Sequence, residues 1–333
     1  MKQLDFLGIG DITTDAFIRL KEASVHCGID KKNCQLCMRF ADKIPYEFVE
    51  VVRAVGNSAN ASVAAARFGL ASGLITDIGD DENGKECLQV LTKEKVDTSY
   101  ATVHKGMQTN YHYVLWYEDE RTILVQHQEY PYRLPPIDPP PKWIYVSSLG
   151  GNSEQYHYEI IEYLKAHLEV RLAFQPGTFQ IRLGTEKLAE LYKRTEIFVC
   201  NREEAQKILN TSENEIKILL DGIHALGPRT VLITDGPRGA YAFDSALGEH
   251  WFQPPYPDPL PPQNRTGAGD AFASTFTSAV ALGKSLTEAL RWAPINSAYV
   301  VQQIGAQRGL LTRTELESYL AAAPKEYHPQ RIR

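Results

Sequence analysis

The chain has 333 residues, with 35 Lys and Arg against 41 Asp and Glu, for a net charge of −6. This length is enough for one large domain or two smaller ones with a full core. The mild charge, without single-sign blocks, excludes an electrostatic footprint for nucleic acid or a membrane surface. No stretch reaches the ~20 apolar residues of a membrane span. MKQLDFLGIGD (1–11) lacks a signal-peptide profile, and five cysteines do not suggest a secreted disulfide framework, so a cytoplasmic protein is expected.

In chain order, apolar runs of strand length alternate with helical patterns. LDFLGIG (4–10) reads as a buried strand, NSANASVAAARFG (57–69) as a small-residue helix, and SGLITDIGD (72–80) as a second strand. The helix ENGKECLQVLTKEKV follows. Next come the strand KWIYVSSLG, the helix SEQYHYEIIEYLKAHL and the strand RLAFQPG. The helix EKLAELYKR, the strand EIFVCN (196–201), two further helices and the strand RTVLITDG (229–236) continue the alternation. Two long helical patterns close the chain after a Pro-rich stretch. Such alternation means an α/β fold, a mainly parallel sheet covered on both faces, with ligands at the carboxyl ends of its strands.

Two segments interrupt the pattern. Residues 11–55 show no crossover helix, and MQTNYHYVLWYEDERTILVQHQE (107–129) shows two alternating strands around a charged turn. Together they predict a small β lid of 11–45 and 107–130, beside a main unit of 1–10, 46–106 and 131–333. PYRLPPIDPPP (131–141) is a stiff extended return.

The chemistry concentrates in NRTGAGDAFAST (264–275). Gly267, Ala268 and Gly269 let a ligand approach their N–H groups at the start of a buried helix, a natural anion cradle. Asp270 follows in its first turn. A plain helix start with one acidic residue fits the same letters. ALGKS (281–285) is no P-loop, because Ser278 stands where the first glycine must be and the segment joins two helices.

TGAGDAF (266–272), VGNSANAS (55–62), GDITTD (10–15), NREE (201–204), TDGPRGA (234–240) and GAQ (305–307) occur in an order that resembles the ribokinase-like (PfkB) carbohydrate kinase family over nearly the whole chain. The resemblance implies a doubly wound ribokinase-like fold and ATP-dependent transfer of the γ-phosphate to a primary hydroxyl. It implies Asp270 as catalytic base and the amides of Gly267, Ala268 and Gly269 as the anion hole. Asp15, Gly56, Asn57 and Asn60 would bind the acceptor. Asn201, Thr234, Gly236 and Gly239 would bind nucleotide, with Asn296 edging the adenine. Glu204 would serve magnesium. GAQ would lie near the adenine and a monovalent cation. The chemistry is coherent without the family, since phosphoryl transfer to an alcohol needs charge stabilisation, a base and in-line positioning. Plain structural roles compete at several positions: Asn201 and Glu204 also read as a helix capping box, and Gly236 and Gly239 as a hairpin turn.

Some residues depart from the family pattern. Val55 replaces a glycine, Gln175 an asparagine, Arg265 and Thr275 smaller residues, and Asn264 an aspartate that helps bind a monovalent cation. Asn264 predicts weak or absent potassium activation. VHCGIDKKNCQLC (25–37) places Cys27, Cys34, Cys37 and His26 within reach of one zinc ion, with reduced thiols as the alternative.

The expected acceptor is a free sugar of ribose or fructose type. A nucleoside is the alternative if Tyr111, Tyr113, Trp116 or Tyr117 face the site, but packing within the lid, or a homodimer through it, is the favoured use of these rings. A sugar phosphate would rely on Lys31, Lys32 and Arg39. A catalytically silent relative is set against the retained GAGD.

Overall fold

The computed structural model describes residues 2–28, 34–118, 120–263 and 265–332. A ten-stranded sheet forms the centre. Seven strands run parallel in the spatial order Ala101–His104, Ser72–Gly79, Phe6–Ile9, Trp143–Val146, Arg171–Phe174, Ile197–Asn201 and Thr230–Thr234. Ala240–Asp244, Glu249–Gln253 and Gln330–Ile332 extend it antiparallel. Alternation sends Phe6 and Tyr145 into one core and Leu7 and Ile144 into the other, so both faces are covered. The first core takes the helices Asn57–Arg67, Ala268–Ala281 and Leu286–Val300; the second takes Glu154–Ala166 and Ile216–Ala225.

From the central strand Phe6–Ile9 the chain builds outward to one side through Ser72–Gly79, then returns and builds to the other from Trp143–Val146. The reversal opens a crevice beyond Ile9 and Val146, where such sheets bind ligands.

A separate sheet orders Tyr46–Val55, Thr13–Leu20, Tyr111–Tyr117 and Glu120–Gln126. The last two form the expected hairpin, with Tyr117 opposite Glu120. Tyr46–Val55, assigned from sequence to the main unit, instead pairs antiparallel with Thr13–Leu20. Its sequence YEFVEVVRAV reads equally as either kind of strand, and only the partner strand decides.

Three elements of the C-terminal third exceed the sequence reading: the strand Glu249–Gln253, a third helix, Arg313–Ala321, and the edge strand Gln330–Ile332. The helix has a capping box between Thr312 and Glu315, but its short, largely exposed body gives little periodic signal.

The cysteine segment corrects an expectation. Ser24–His26 and Gln35–Cys37 pair antiparallel with His26 opposite Gln35, which sets Cys27 across from Cys34, and these two form a disulfide. His26 instead contacts Ser24 Oγ at 3.1 Å, while Cys37 is free. The described residues contain no group of three or more His, Cys, Asp or Glu able to hold a metal, so the zinc site is not assembled. No helix among them is long and apolar enough to cross a membrane.

Candidate active site

The helix Ala268–Ala281 starts abruptly because Gly267 takes φ 83°, and a Cβ there would lie 2.4 Å from that of Ala306. The side of Gly269 where a Cβ would project is open space, so a ligand can reach its backbone. The first-turn N–H groups have no partners within the helix itself, and their dipoles favour an anion. Ala268 N–H makes only a 3.5 Å contact with the Arg265 carbonyl.

Asp270 is held from two directions. Asn60 Nδ2 donates to its Oδ2 at 2.8 Å and Gln175 Nε2 to its Oδ1 at 3.0 Å. Asn60 is oriented in turn by Gln307, whose Nε2 donates to Asn60 Oδ1 at 3.0 Å and to the Ala54 carbonyl at 2.7 Å. The Tyr145 hydroxyl donates to Gln175 Oε1. Burial pushes the Asp270 carboxyl above its ordinary range, and the two amide donors partly offset this by favouring the anion.

Two cavities flank the start of this helix, one lined by Asp270 and the other by Ala268 and Gly269. One, about 460 Å³, opens at the crevice beyond the strand ends and is lined by Asp11, Asp15, Asn57, Ser148, Phe179 and Asp270 among others. The other, about 630 Å³, runs past Ala268 and Gly269 to Thr234, Gly236 and Gly239 and the helix Leu286–Val300. A group in the larger cavity can thus present its end to the helix N-terminus while one in the smaller meets Asp270. That is the layout of a two-substrate transfer.

In the smaller cavity, Asp15 lies 3.3 Å from His112 Nδ1, and Asp11 Oδ2 accepts from His127 Nε2 and the Tyr132 hydroxyl, both at 2.7 Å. Gly56 takes φ 132°, and a Cβ there would meet the Asp11 carbonyl oxygen at 2.4 Å, which brings the turn before Asn57 against the strand end. Gly56, Asn57 and Asn60 line the cavity, and both side-chain ends of Asn60 are bonded, to Asp270 and Gln307.

On the other side, the turn at Gly236–Arg238 joins the antiparallel strands Thr230–Thr234 and Ala240–Asp244, so the hairpin reading holds while the turn also lines the larger cavity. Asp235 braces it, accepting two bonds from Arg238 at 2.6 and 2.7 Å.

Other expected residues fall elsewhere. Asn201 and Glu204 form a reciprocal capping box at 2.8 and 2.9 Å, and Asn201 lines neither cavity. Burial raises the Glu204 carboxyl; the Asn201 backbone bond opposes this and the Asp270 charge adds to it. Asn296 is fully buried, donating to Thr275 Oγ1 at 2.8 Å and accepting from Leu311 N–H at 2.9 Å. Helical rotation turns Pro294, Ser297 and Ala298 to the cavity in its place. Ala306 of GAQ borders the smaller cavity, not the larger one. Tyr111, Tyr113, Trp116 and Tyr117 line neither cavity, while His112 and His127 line the smaller. Arg39 pairs with Glu22 and Asp42, each at 3.0 Å. Asn264, Lys31 and Lys32 lie outside the described residues.

Sequence reasoning passed over Phe179 and gave Asp11 and Gln307 no role of their own within GDITTD and GAQ. Asp11 could have been singled out as a carboxylate at a strand's carboxyl end. Gln175, which departs from the family's asparagine, reaches Asp270 with its longer side chain.

The pattern of the pfkB family carbohydrate kinases matches residues 44–313. The chain belongs to this family. The kinase is therefore a phosphotransferase with an alcohol acceptor, acting on a sugar or nucleoside. It is 27% identical over 276 residues to ribokinase from Bacillus subtilis, covering 80% of this chain and 87% of that one. It is 27% identical over 239 residues to cytidine kinase from Thermococcus kodakarensis, covering 71% and 83%. Its fold is similar to that of Arabidopsis thaliana ribokinase complexed with ribose and ATP. That match has a TM-score of 0.78 and 18% identity, and it covers 96% of the kinase and 99% of that chain.

Proposed function

We propose that the kinase transfers the γ-phosphoryl group of ATP to a primary hydroxyl of a free sugar of ribose or fructose type. The observation that carries this reading is Asp270, fixed by Asn60 and Gln175 in the wall of the smaller cavity, while Ala268 and Gly269 just before it line the larger one. ATP occupies the larger cavity with its triphosphate toward the Gly267–Gly269 turn, flanked by Thr234, Gly236 and Gly239. The sugar occupies the smaller one, its hydroxyls bound by Asp15 and Asn57, and the small sheet serves as its lid.

The acceptor hydroxyl gives its proton to Asp270 as its oxygen forms the new bond to the γ-phosphorus and the bond to the β-γ bridging oxygen breaks, releasing ADP. The amides of Gly267, Ala268 and Gly269 stabilise the transferring oxygens; a preorganised donor of this kind contributes about 3 kcal/mol in comparable oxyanion sites. Magnesium, when bound, neutralises charge on the β- and γ-phosphates. The donors present fit a hydrated ion held largely by the nucleotide, with Glu204 as the nearby carboxylate, since magnesium keeps several waters.

A free sugar is favoured over a nucleoside because the ring-rich hairpin keeps its tyrosines and Trp116 away from the acceptor cavity. A sugar phosphate is disfavoured by the pairing of Arg39 with Glu22 and Asp42. Potassium activation is weak or absent, on the strength of Asn264, and equal turnover with and without potassium tests it. An ATP-consumption screen over ribose, fructose, adenosine, cytidine, inosine and sugar phosphates tests the acceptor. Fastest turnover with a free sugar supports the proposal, and fastest turnover with a nucleoside or a phosphorylated sugar overturns it.

A further inference from the structure

His127 stands just past the strand Glu120–Gln126 of the small sheet, in the wall of the smaller cavity. Its surroundings fix which edge of the ring is free. Nε2 lies 2.7 Å from Asp11 Oδ2, which also accepts from the Tyr132 hydroxyl at 2.7 Å. The adjacent Cδ2 packs against Gly150, where a Cβ would come within 3.3 Å of it. The ring of Phe179, which also lines this cavity, has its centroid 5.8 Å from that of His127.

Nδ1, on the opposite edge from Cδ2, is left over. Among the described residues it has no hydrogen-bond partner, yet it is not shut off from solvent. His112, the other histidine of the cavity, is placed differently. Its Nε2 is buried without a partner, and its Nδ1 lies 3.3 Å from Asp15 Oδ1.

A ring nitrogen bonded to an ionised carboxylate carries the proton, because the carboxylate only accepts. Asp11 therefore sets the neutral ring with its N–H at Nε2 and a lone pair at Nδ1. The result is an oriented acceptor, open on the cavity side and matched by a hydroxyl donor. A hydroxyl that leaves water for this cavity needs such a partner, since an unpaired buried polar group is expensive. We infer that His127 binds the phosphoryl acceptor, its Nδ1 accepting a hydrogen bond from a sugar hydroxyl other than the one phosphorylated. Asp11 and Tyr132 are positioning residues for the ring. The inference rests on the assignment of the smaller cavity to a free sugar, and it makes one non-reacting hydroxyl of that sugar a determinant of specificity.

The test is steady-state kinetics of the full chain with ATP and D-ribose or D-fructose, comparing the parent with His127→Gln. The Gln amide takes the place of Nε2 and keeps a donor for Asp11, but nothing replaces Nδ1. A KM for the sugar raised about five- to tenfold is expected, a larger change than that in kcat. An unchanged KM overturns the inference. Monodeoxy analogues of the same sugar read the contact itself. One analogue should lose kcat/KM on the parent about as much as His127→Gln loses with the full sugar, and the two losses should not add. Fully additive losses for every analogue make the role of His127 structural and overturn the inference. So does equal kcat/KM of the parent for the sugar and all its analogues, a comparison that needs no variant. Turnover of neither sugar by the parent is a separate result, which overturns the free-sugar reading and the inference with it.

Discussion

Asn60 donates a hydrogen bond to Asp270 at 2.8 Å across 210 positions of sequence. The contact joins the helix that follows the small sheet to the helix that begins at the glycine turn, so the proposed base is positioned by the element that also lines the smaller cavity. Asp270→Asn should therefore remove proton acceptance with little change in shape. General-base catalysis contributes about 10²–10⁴-fold, and a loss of kcat in that range is expected, with ADP affinity measured by calorimetry unchanged. A variant that retains most of its turnover would remove Asp270 from the mechanism.

Gln175 holds the other carboxylate oxygen, and its bond favours the ionised form. Burial already pushes the Asp270 carboxyl upward, so deleting a donor pushes it further. A base must be deprotonated to act, and activity is lost as pH falls through its pKa. In Gln175→Ala the acid limb of the kcat/KM profile should move to higher pH, with turnover at neutral pH lowered severalfold. An acid limb that stays in place, or moves to lower pH, contradicts the arrangement.

Gly267 combines φ 83° with a backbone approach to Ala306. Gly267→Ala meets both obstacles, and strain of this kind alone costs about 1–3 kcal/mol. A lower Tm by differential scanning calorimetry is expected, together with weaker binding of ADP as the first-turn amides shift. A variant with the parent's Tm and affinity would show that the turn tolerates a side chain.

The cysteines can be counted chemically. Five are present, with Cys27 and Cys34 joined and Cys37, Cys87 and Cys200 free. Protein purified without reductant and then denatured should titrate three thiols, and five after reduction. Five thiols before reduction would mean that the hairpin is open.

One face of the small sheet points away from the smaller cavity and carries Val49, Tyr113 and Leu124, exposed by 44, 47 and 51%. A homodimer through this sheet would cover them. Sedimentation velocity should give a dimer for the parent chain and a monomer for Leu124→Asp; a monomeric parent chain rules the dimer out.

Much of the main sheet was legible in the sequence because each strand is a short apolar run set off by an amphipathic helix, a pattern governed by local periodicity. The glycine turn and Asp270 were legible for a related reason: small residues followed by a carboxylate at a helix start constrain the backbone within a few positions. Pairing across distance was not. Tyr46–Val55 joined the small sheet because of its partner strand, and Cys27 met Cys34 because His26 pairs with Gln35. Asn60 and Asn296 are both buried polar residues in helices, yet rotation and packing turn one to Asp270 and the other to Thr275 and Leu311. Residue types and their order thus determined the fold class and the chemistry available. The tertiary structure decided which side chains share a cavity, because a hydrogen bond depends on distance and direction in space, and sequence separation carries neither.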